Sequence, residues 1–166
     1  MKTDLIELPV STSDGRFIAR YSEKGLAGLS FPEARASAQA AKTADIPAQV
    51  RAWHRVTESA LKRILAGNQP KEFPPLALTG TDFQKSVWRQ MLKLSVGKTK
   101  SYGEIAQAIG KPKAVRAVGG ACGANPIPVL VPCHRVLAAD KKIGGFTSGM
   151  HWKRSLLSRE GVSVRN

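Results

Sequence analysis

The chain has 166 residues, 42% of them apolar and 23% charged, a balance typical of a soluble globular protein. No apolar run approaches the roughly 18 to 20 residues of a membrane span, and none near the N-terminus has the length of a signal peptide. The two cysteines, Cys122 and Cys133, imply no disulfide framework, although the sequence alone leaves open a bond between them. Composition therefore argues against a membrane protein and a disulfide-stapled domain, and a reducing compartment is expected.

The positive charge is concentrated in the second half of the chain. Overall, 26 lysines and arginines face 12 acidic residues, a net charge of +14. Residues 1–75 account for +3 of this, whereas residues 76–166 carry 15 basic and 4 acidic side chains, a net of +11. A basic excess held in one half indicates a polyanion, such as nucleic acid, bound by that half. On charge alone, a generally basic surface that binds no such partner remains an alternative explanation.

The first 75 residues predict a small antiparallel sheet and one helix. Glycine-containing turns separate three runs with strand composition, over residues 5–10, 16–21 and 26–31. The alanine-rich stretch 34–44 fits either a helix or a loose connection. Pro47 suits the first turn of a helix that continues to about Leu65.

A proline-rich stretch marks the predicted domain boundary. Residues 68–75 contain three prolines in a polar setting, which is typical of a linker. We therefore expect an N-terminal domain over residues 1–75 and a C-terminal domain over residues 76–166.

Helical signals become regular in the second half. Apolar residues at helical spacing predict a helix over about residues 81–97, and a capping box that begins at Ser101 opens a second, short one. A third helix is expected over residues 113–122, with Val115 facing inward, and a last one over about 149–160. The second and third helices, joined by a short turn that contains glycine, form a helix-turn-helix pattern, which occurs in DNA-binding proteins and in others.

The stretch after the third helix contains a candidate nucleophile. Prolines surround an apolar run within residues 125–137, which predicts a short buried strand or extended segment that carries Cys133 into the core. A thiolate is the reactive form of cysteine, and the adjacent His134 could lower the thiol pKa. In an extended strand, neighbouring side chains point to opposite faces, so the pair would need a local turn or a bridging water. The residues alone are compatible with either a structural or a nucleophilic role for Cys133.

Several segments of the second half together resemble the O6-alkylguanine–DNA alkyltransferases, or methylated-DNA–protein-cysteine methyltransferases. The acceptor motif of that family is matched by Pro132-Cys133-His134-Arg135-Val136. The resemblance is continuous from about Thr81 to Gly161 and loose over residues 1–75. Further matching segments are Ser101-Tyr102, Ile105-Ala106, residues 113–121 and Asn125-Pro126. It implies an α+β fold, with a ribonuclease-H-like N-terminal domain and a mainly helical C-terminal domain.

The resemblance implies a single-use alkyl transfer onto Cys133. That thiol would attack the alkyl carbon on the guanine oxygen and keep it as a stable thioether. His134 would deprotonate Cys133 through a water, with Glu160 as the carboxylate partner of the histidine. Tyr102 would supply a proton to the departing guanine, and Asn125 would brace the loop before the acceptor.

The resemblance also implies binding to double-stranded DNA that contains alkylated guanine. The third helix would enter the minor groove almost without sequence preference, and Arg116 would fill the gap left by a flipped base. The expected DNA-contacting residues are Tyr102, Gly103, Lys111, Lys113, Ala114, Arg116, Ala117, Gly119 and Arg135. The expected substrate pocket is formed by Pro128, Val136, Phe146, Thr147 and Ser148. Phe146 stands where several members have a tyrosine, so a hydrogen bond from that hydroxyl is absent.

No cofactor or metal is expected. Residues 1–75 contain no cysteine, which argues against the structural zinc site that some family members carry in their N-terminal domain. The protein is expected to be a cytoplasmic or nucleoid-associated monomer without a membrane partner. Cooperative assembly along DNA, repair of O4-alkylthymine and the range of alkyl sizes stay open.

Three other functions compete with the transferase. Alkyltransferase-like proteins bind damage without transfer, but their acceptor position is not a cysteine, whereas this chain has Cys133 there. A transcription regulator of the family would need a further sequence-specific domain, for which 166 residues leave no room. A cysteine hydrolase would need an oxyanion site, and a basic DNA-binding half would serve no purpose in it.

Overall fold

The computed structural model describes residues 4–34 and 45–165 and confirms the predicted α+β fold. A three-stranded antiparallel sheet has the order β1-β2-β3, formed by β1 (Ile6–Thr12), β2 (Gly15–Ser22) and β3 (Gly25–Ser30). These bounds differ from the predicted ones by one or two residues. Helix α1 (Ala48–Leu65) packs against the sheet and ends at Leu65 as predicted, and Pro47, expected in its first turn, directly precedes it. The alanine-rich stretch, apart from Ala34, lies outside the described residues.

Strand β3 is the edge at which the two halves of the chain meet. The amide of Leu26 donates to the carbonyl of Pro75 at 2.8 Å, and the amide of Ala77 donates to the carbonyl of Leu26 at 2.8 Å. Farther along β3, the amide of Leu29 donates to the carbonyl of Pro126 at 3.0 Å. Buried apolar side chains of both halves form one continuous cluster. The sheet is therefore fastened to the segment that precedes Cys133, and a boundary between separate domains at residue 75 stays a prediction.

The C-terminal part is mainly helical. Its regular elements are α2 (Asp82–Leu92), β4 (Lys100–Ser101), α3 (Tyr102–Ala108), α4 (Val115–Gly123), β5 (Val136–Leu137) and α5 (Met150–Arg159). The short strands β4 and β5 pair in parallel. Helix α2 ends at Leu92, earlier than predicted, and the carbonyl of Leu94 accepts a hydrogen bond from the buried Arg135 at 2.6 Å instead of one from a following helical turn. None of the helices in the described part of the chain is both long and apolar enough to cross a membrane.

The two helices of the helix-turn-helix begin differently. The predicted capping box of α3 is present: Ser101 Oγ accepts from the amide of Glu104 at 3.0 Å, and the carboxylate of Glu104 accepts from the amide of Ser101 at 3.3 Å. Helix α4 begins two residues later than predicted, so Lys113 lies in the turn before it. The expectation that Val115 faces inward was wrong: it is 40% exposed, because it is the first residue of the helix and lies beside the solvent-exposed turn.

Candidate active site

Cys133 lies at the start of a short 3₁₀ helix, Cys133–Arg135, and the predicted strand before it is absent. The chain there makes tight turns, in which the amide of Val131 donates to the carbonyl of Ile127 at 2.9 Å. Val129 has a φ of 74°, a left-handed conformation that costs a β-branched residue roughly 1–3 kcal/mol. Its side chain is fully buried, and this packing holds the strained backbone in place. Tight turns therefore deliver the thiol, where an extended segment was expected.

Asn125 spans the turns before the acceptor. Its Nδ2 donates to the carbonyl of Val131 at 2.7 Å, and its Oδ1 accepts from the amide of Ile127 at 2.9 Å. The bond to Val131 spans the strained Val129, and the bond from Ile127 fixes the turn before it. The side-chain amide of Asn125 thereby fixes the path of the backbone that leads to Cys133.

The Cys133 thiol borders a cavity of about 540 Å³ and is 8% exposed. Burial raises the pKa of this thiol, and the side chain of Asn125 and the positive charge of Lys153 offset only part of that effect. The resting thiol is therefore neutral. Because the thiolate is the nucleophilic form, a base has to take the proton when the thiol attacks.

His134 and Glu160 form a buried hydrogen-bonded pair next to the acceptor. Nε2 of His134 lies 2.9 Å from Oε2 of Glu160, and neither side chain is exposed. Burial lowers the pKa of His134, so the imidazole is neutral at pH 7 and its Nε2–H donates to the carboxylate. Its Nδ1 has no hydrogen-bond partner among the described residues. The carboxylate thus holds the imidazole in the tautomer whose Nδ1 can accept a proton.

Arg135 is buried beside this pair, so the expectation that it contacts DNA was wrong. It is 3% exposed, its Nε and Nη2 donate to Glu160 at 2.8 and 3.0 Å, and its Nη1 donates to the carbonyl of Leu94. Burial alone would raise the pKa of Glu160, but the hydrogen bonds from His134 and Arg135 outweigh it and lower that pKa to about 2. Glu160 is therefore ionised at neutral pH and partners two neighbours at once.

Most of the expected pocket residues line the cavity. They are Pro128, Phe146, Thr147 and Ser148, and they lie around it together with Cys133, Tyr102 and Asn125. Val136 is absent from the lining that the described residues form, and this expectation was wrong, since β5 pairs with β4 and its side chain is fully buried. One wall of the cavity comes from the N-terminal half, which was not predicted from the sequence. Its lining residues are Leu29, Ser30, Phe31, Glu33 and Ala34.

Lys153 is a fully buried cation that sequence reasoning missed. Its Nζ donates to the carbonyl of Val136 at 2.8 Å and to that of Gly145 at 3.1 Å, and it lies 5.8 Å from the centroid of the Tyr102 ring. Burial lowers the pKa of Lys153 to about 8, so the ammonium group remains mostly charged at neutral pH. It joins the strand after the acceptor to the loop that carries Phe146. A signal was present, because Lys153 precedes two apolar residues of α5 at helical spacings of three and four.

Apart from Tyr102, the other expected DNA-contacting residues lie on or near the surface, with Gly103 on α3 and the rest on α4 or in the turn before it. Lys111, Lys113, Arg116 and Ala117 are exposed, and Gly103, Ala114 and Gly119 are partly exposed. A Cβ added at Gly119 or Gly120 would meet no heavy atom within 4 Å, although each glycine weakens a helix by about 1 kcal/mol. The packing of the protein itself therefore gives no reason for glycine on this face. Tyr102 is half-buried at the cavity, and burial raises its pKa.

Known proteins are similar to this chain in sequence and fold. A family model of the DNA-binding domain of 6-O-methylguanine DNA methyltransferase matches residues 82–162. A methylated-DNA–protein-cysteine methyltransferase of Methanosarcina barkeri is 38% identical over 168 aligned residues, which cover 99% of this chain and 100% of that protein. One from Mycobacterium tuberculosis is 49% identical over 100 residues, which are 60% of this chain and 61% of that protein. The crystal structure of Mycobacterium tuberculosis OGT in complex with DNA superimposes with a TM-score of 0.72 at 36% identity, over 92% of this chain and 90% of that one.

Proposed function

The chain belongs to the methylated-DNA–protein-cysteine methyltransferase family, and we propose that it repairs DNA by moving an alkyl group from a guanine oxygen to Cys133. The observation that carries this proposal is that Cys133 lines the cavity and is followed directly by His134, a buried side chain that can act as a general base. The thiol borders the cavity, while the neighbouring His134 has a proton-accepting Nδ1 and a carboxylate partner, Glu160. Because a thioether is not hydrolysed in water, each molecule acts once.

In the proposed reaction, sulfur attacks the alkyl carbon while the bond between that carbon and the guanine oxygen breaks. His134 takes the thiol proton at Nδ1 through a water, and the negative charge of Glu160 stabilises the imidazolium that forms. The electron pair of the broken bond goes to guanine, where Tyr102 donates a proton to the oxygen. Burial raises the pKa of Tyr102, so its hydroxyl is protonated at neutral pH and available for this step.

We further propose that α4 binds the minor groove of duplex DNA and that the damaged nucleotide flips into the cavity. The alkylated oxygen lies within the base stack, and extruding the base costs a few kcal/mol. Arg116 is exposed on α4 and would fill the gap, while the small residues of that helix would allow close approach to the sugars. The net charge of +11 on residues 76–166 supports a DNA partner. The protein would act as a monomer in the cytoplasm or nucleoid.

The direct test is the mass of the intact protein after incubation with a duplex that contains one O6-methylguanine. We expect each chain to gain one methyl group, which peptide mapping assigns to Cys133, and the DNA to regain an unmodified guanine. An undamaged duplex of the same sequence is the control and should give no gain. A folded sample that binds the duplex without any gain in mass would contradict the transfer and favour a damage-binding protein.

Replacing Arg116 with alanine should separate base flipping from chemistry. Since flipping costs a few kcal/mol, transfer from duplex DNA should slow roughly 10- to 100-fold. Transfer from free O6-methylguanine base, which needs no flipping, should change little. Arg51→Ala is the matched control, because Arg51 is exposed on α1 and its loss removes the same charge. Equal slowing with duplex and free base would contradict the role of Arg116.

A further inference from the structure

The guanidinium of Arg135 and the imidazole of His134 share one carboxylate. Nε and Nη2 of Arg135 donate to Oε1 and Oε2 of Glu160 at 2.8 and 3.0 Å, which makes the pair bidentate. Oε2 also accepts from Nε2 of His134 at 2.9 Å. The remaining nitrogen of the guanidinium, Nη1, donates to the carbonyl of Leu94 at 2.6 Å, which anchors the arginine to the chain after α2. Arg135 therefore fixes the direction in which Glu160 meets the imidazole.

Stability alone gives no reason for an arginine at this position. Arg135 is 3% exposed, and it is absent from the cavity lining that the described residues form. Taking a guanidinium and a carboxylate out of water costs several kcal/mol per ion, and apolar residues of similar volume often stabilise a core as well or better. A buried arginine that does not line the cavity therefore indicates a function exerted through its partner, Glu160.

The charges of this buried pair balance only while the imidazole is neutral. Arg135 is positive and Glu160 is negative, so a proton taken up by His134 would leave the three side chains with a net positive charge. The carboxylate of Glu160 favours the imidazolium, whereas the charges of Arg135 and Lys153 oppose it. The adjacent thiol of Cys133 is neutral at rest, and α2, which also packs here, presents no charged group to the imidazole among the described residues. Arg135 therefore offsets the attraction of Glu160 for a proton on the ring.

We propose that Arg135 is a positioning residue that, through Glu160, keeps His134 neutral and protonated on Nε2 until the thiol attacks. This role rests on the proposed alkyl transfer, in which His134 is the base. With Arg135 in place, Glu160 orients the ring and Nδ1 stays without a proton. Without that positive charge, Glu160 would raise the pKa of His134, and a protonated Nδ1 could not accept the proton of Cys133.

The test is the rate of single-turnover methyl transfer from a saturating O6-methylguanine duplex, measured across the pH range in which histidine titrates. Arg135→Gln and Arg135→Lys both lose the bidentate pair, but lysine retains the positive charge. In both variants the plateau above the acid limb should fall roughly 10- to 100-fold, because the carboxylate no longer holds the imidazole in one orientation. Only Arg135→Gln should shift the acid limb to higher pH, by about one unit. Arg51→Gln removes the same charge from an exposed position on α1 and should retain the wild-type profile.

A second comparison tests the charge of Arg135 without leaving Glu160 unpaired in the core. Glu160→Gln leaves Arg135 without its partner, whereas Glu160→Gln combined with Arg135→Gln removes both charges, a change that a folded core tolerates better. Because the double variant lacks the positive charge that opposes the imidazolium, its acid limb should lie at higher pH than that of Glu160→Gln. If Arg135→Gln alone does not fold, this comparison decides.

The role of Arg135 is overturned, while methyl transfer itself stands, by any of three results. These are an acid limb at the wild-type pH in Arg135→Gln or a shift of equal size in Arg135→Lys, an unchanged plateau in both variants, and coincident limbs in the second comparison. Absence of methyl transfer in the wild-type protein would instead overturn the proposed function. In that case the titration of the His134 imidazole, followed by NMR in the same variants, decides whether Arg135 keeps it neutral.

Discussion

Replacing Cys133 with serine is expected to abolish methyl transfer and to leave binding to the damaged duplex nearly unchanged. A serine hydroxyl is a far weaker nucleophile than a thiolate, and His134 alone cannot compensate for that difference. The two side chains differ little in volume, so the cavity and the hydrogen bonds of Asn125 should persist. The measurement combines intact mass for transfer with a fluorescence-anisotropy titration for binding.

The second cysteine makes this experiment discriminating, because Cys122 lines the same cavity. Burial raises the pKa of Cys122 to about 12, and its Sγ lies 3.7 Å from the Met91 sulfur, within the core. Cys122→Ala should therefore still place the methyl group on Cys133. A methyl group found on Cys122, in either variant, would refute the assignment of the acceptor.

Replacing Glu160 with glutamine is expected to lower the free energy of unfolding by about 3–5 kcal/mol, because it leaves the buried Arg135 without its counter-charge. Chemical denaturation of both proteins at pH 7 measures this difference. Glu58→Gln is the matched control: its ion pair with Lys62 is exposed and should contribute only about 0.3–0.5 kcal/mol. Similar losses of unfolding free energy in the two variants would show that burial does not make the ion pair of Glu160 more stabilising than an exposed one.

The dependence of stability on pH tests the same carboxylate. The pKa of Glu160 falls from its ordinary value of 4.5 to about 2, so its stabilisation is complete above pH 4.5 and is lost between pH 4.5 and 2. A shift of that size is worth about 3 kcal/mol. The pKa of His134 is also lowered, from 6.5, so acid already begins to favour the unfolded chain below that pH. Glu160→Gln should keep the decline that starts at pH 6.5 and weaken the one below pH 4.5, where Asp14, whose pKa is lowered by its hydrogen bond with Arg159, still contributes.

Transfer should also slow in Glu160→Gln, by about 100-fold at pH 7, a typical effect of losing general-base assistance. Raising the pH should recover part of the rate, since the thiol then ionises without help from His134. A variant that had merely lost its structure would show no such recovery. The pH profile of the rate therefore distinguishes a chemical role of Glu160 from a purely structural one.

Local signals in the sequence predicted local structure well. The capping box at Ser101 depends on residues three positions apart, and the start of α1 depends on Pro47, so both follow from the chain itself. The turns around Val129 could not be predicted in this way. A valine in a left-handed conformation is unfavourable by itself and forms only because the surrounding core holds it.

In the candidate site, too, local features were predictable from the sequence and contacts between distant segments were not. The motif around Cys133 identifies which residues matter, but it does not reveal which of them face solvent. The resemblance implied that Arg135 contacts DNA, whereas its guanidinium is buried against a carboxylate 25 positions along the chain. The wall formed by Phe31 and the bond between Leu29 and Pro126 arise from contacts between distant segments, which no local pattern encodes.

The cavity wall that contains Phe31 also contacts a tryptophan, whose fluorescence can report on the site. Of the three tryptophans, Trp152 packs on Phe31, and its indole N–H donates to Glu33, and both of these partners line the cavity. Trp88 instead donates to the carbonyl of Ala121 in the core, and Trp53 lies on α1, away from the cavity. Indole emission responds to nearby stacking and to changes in hydrogen bonding. A base that occupies the cavity should therefore change the emission of one tryptophan, so that filling of the site can be followed in real time without an attached dye.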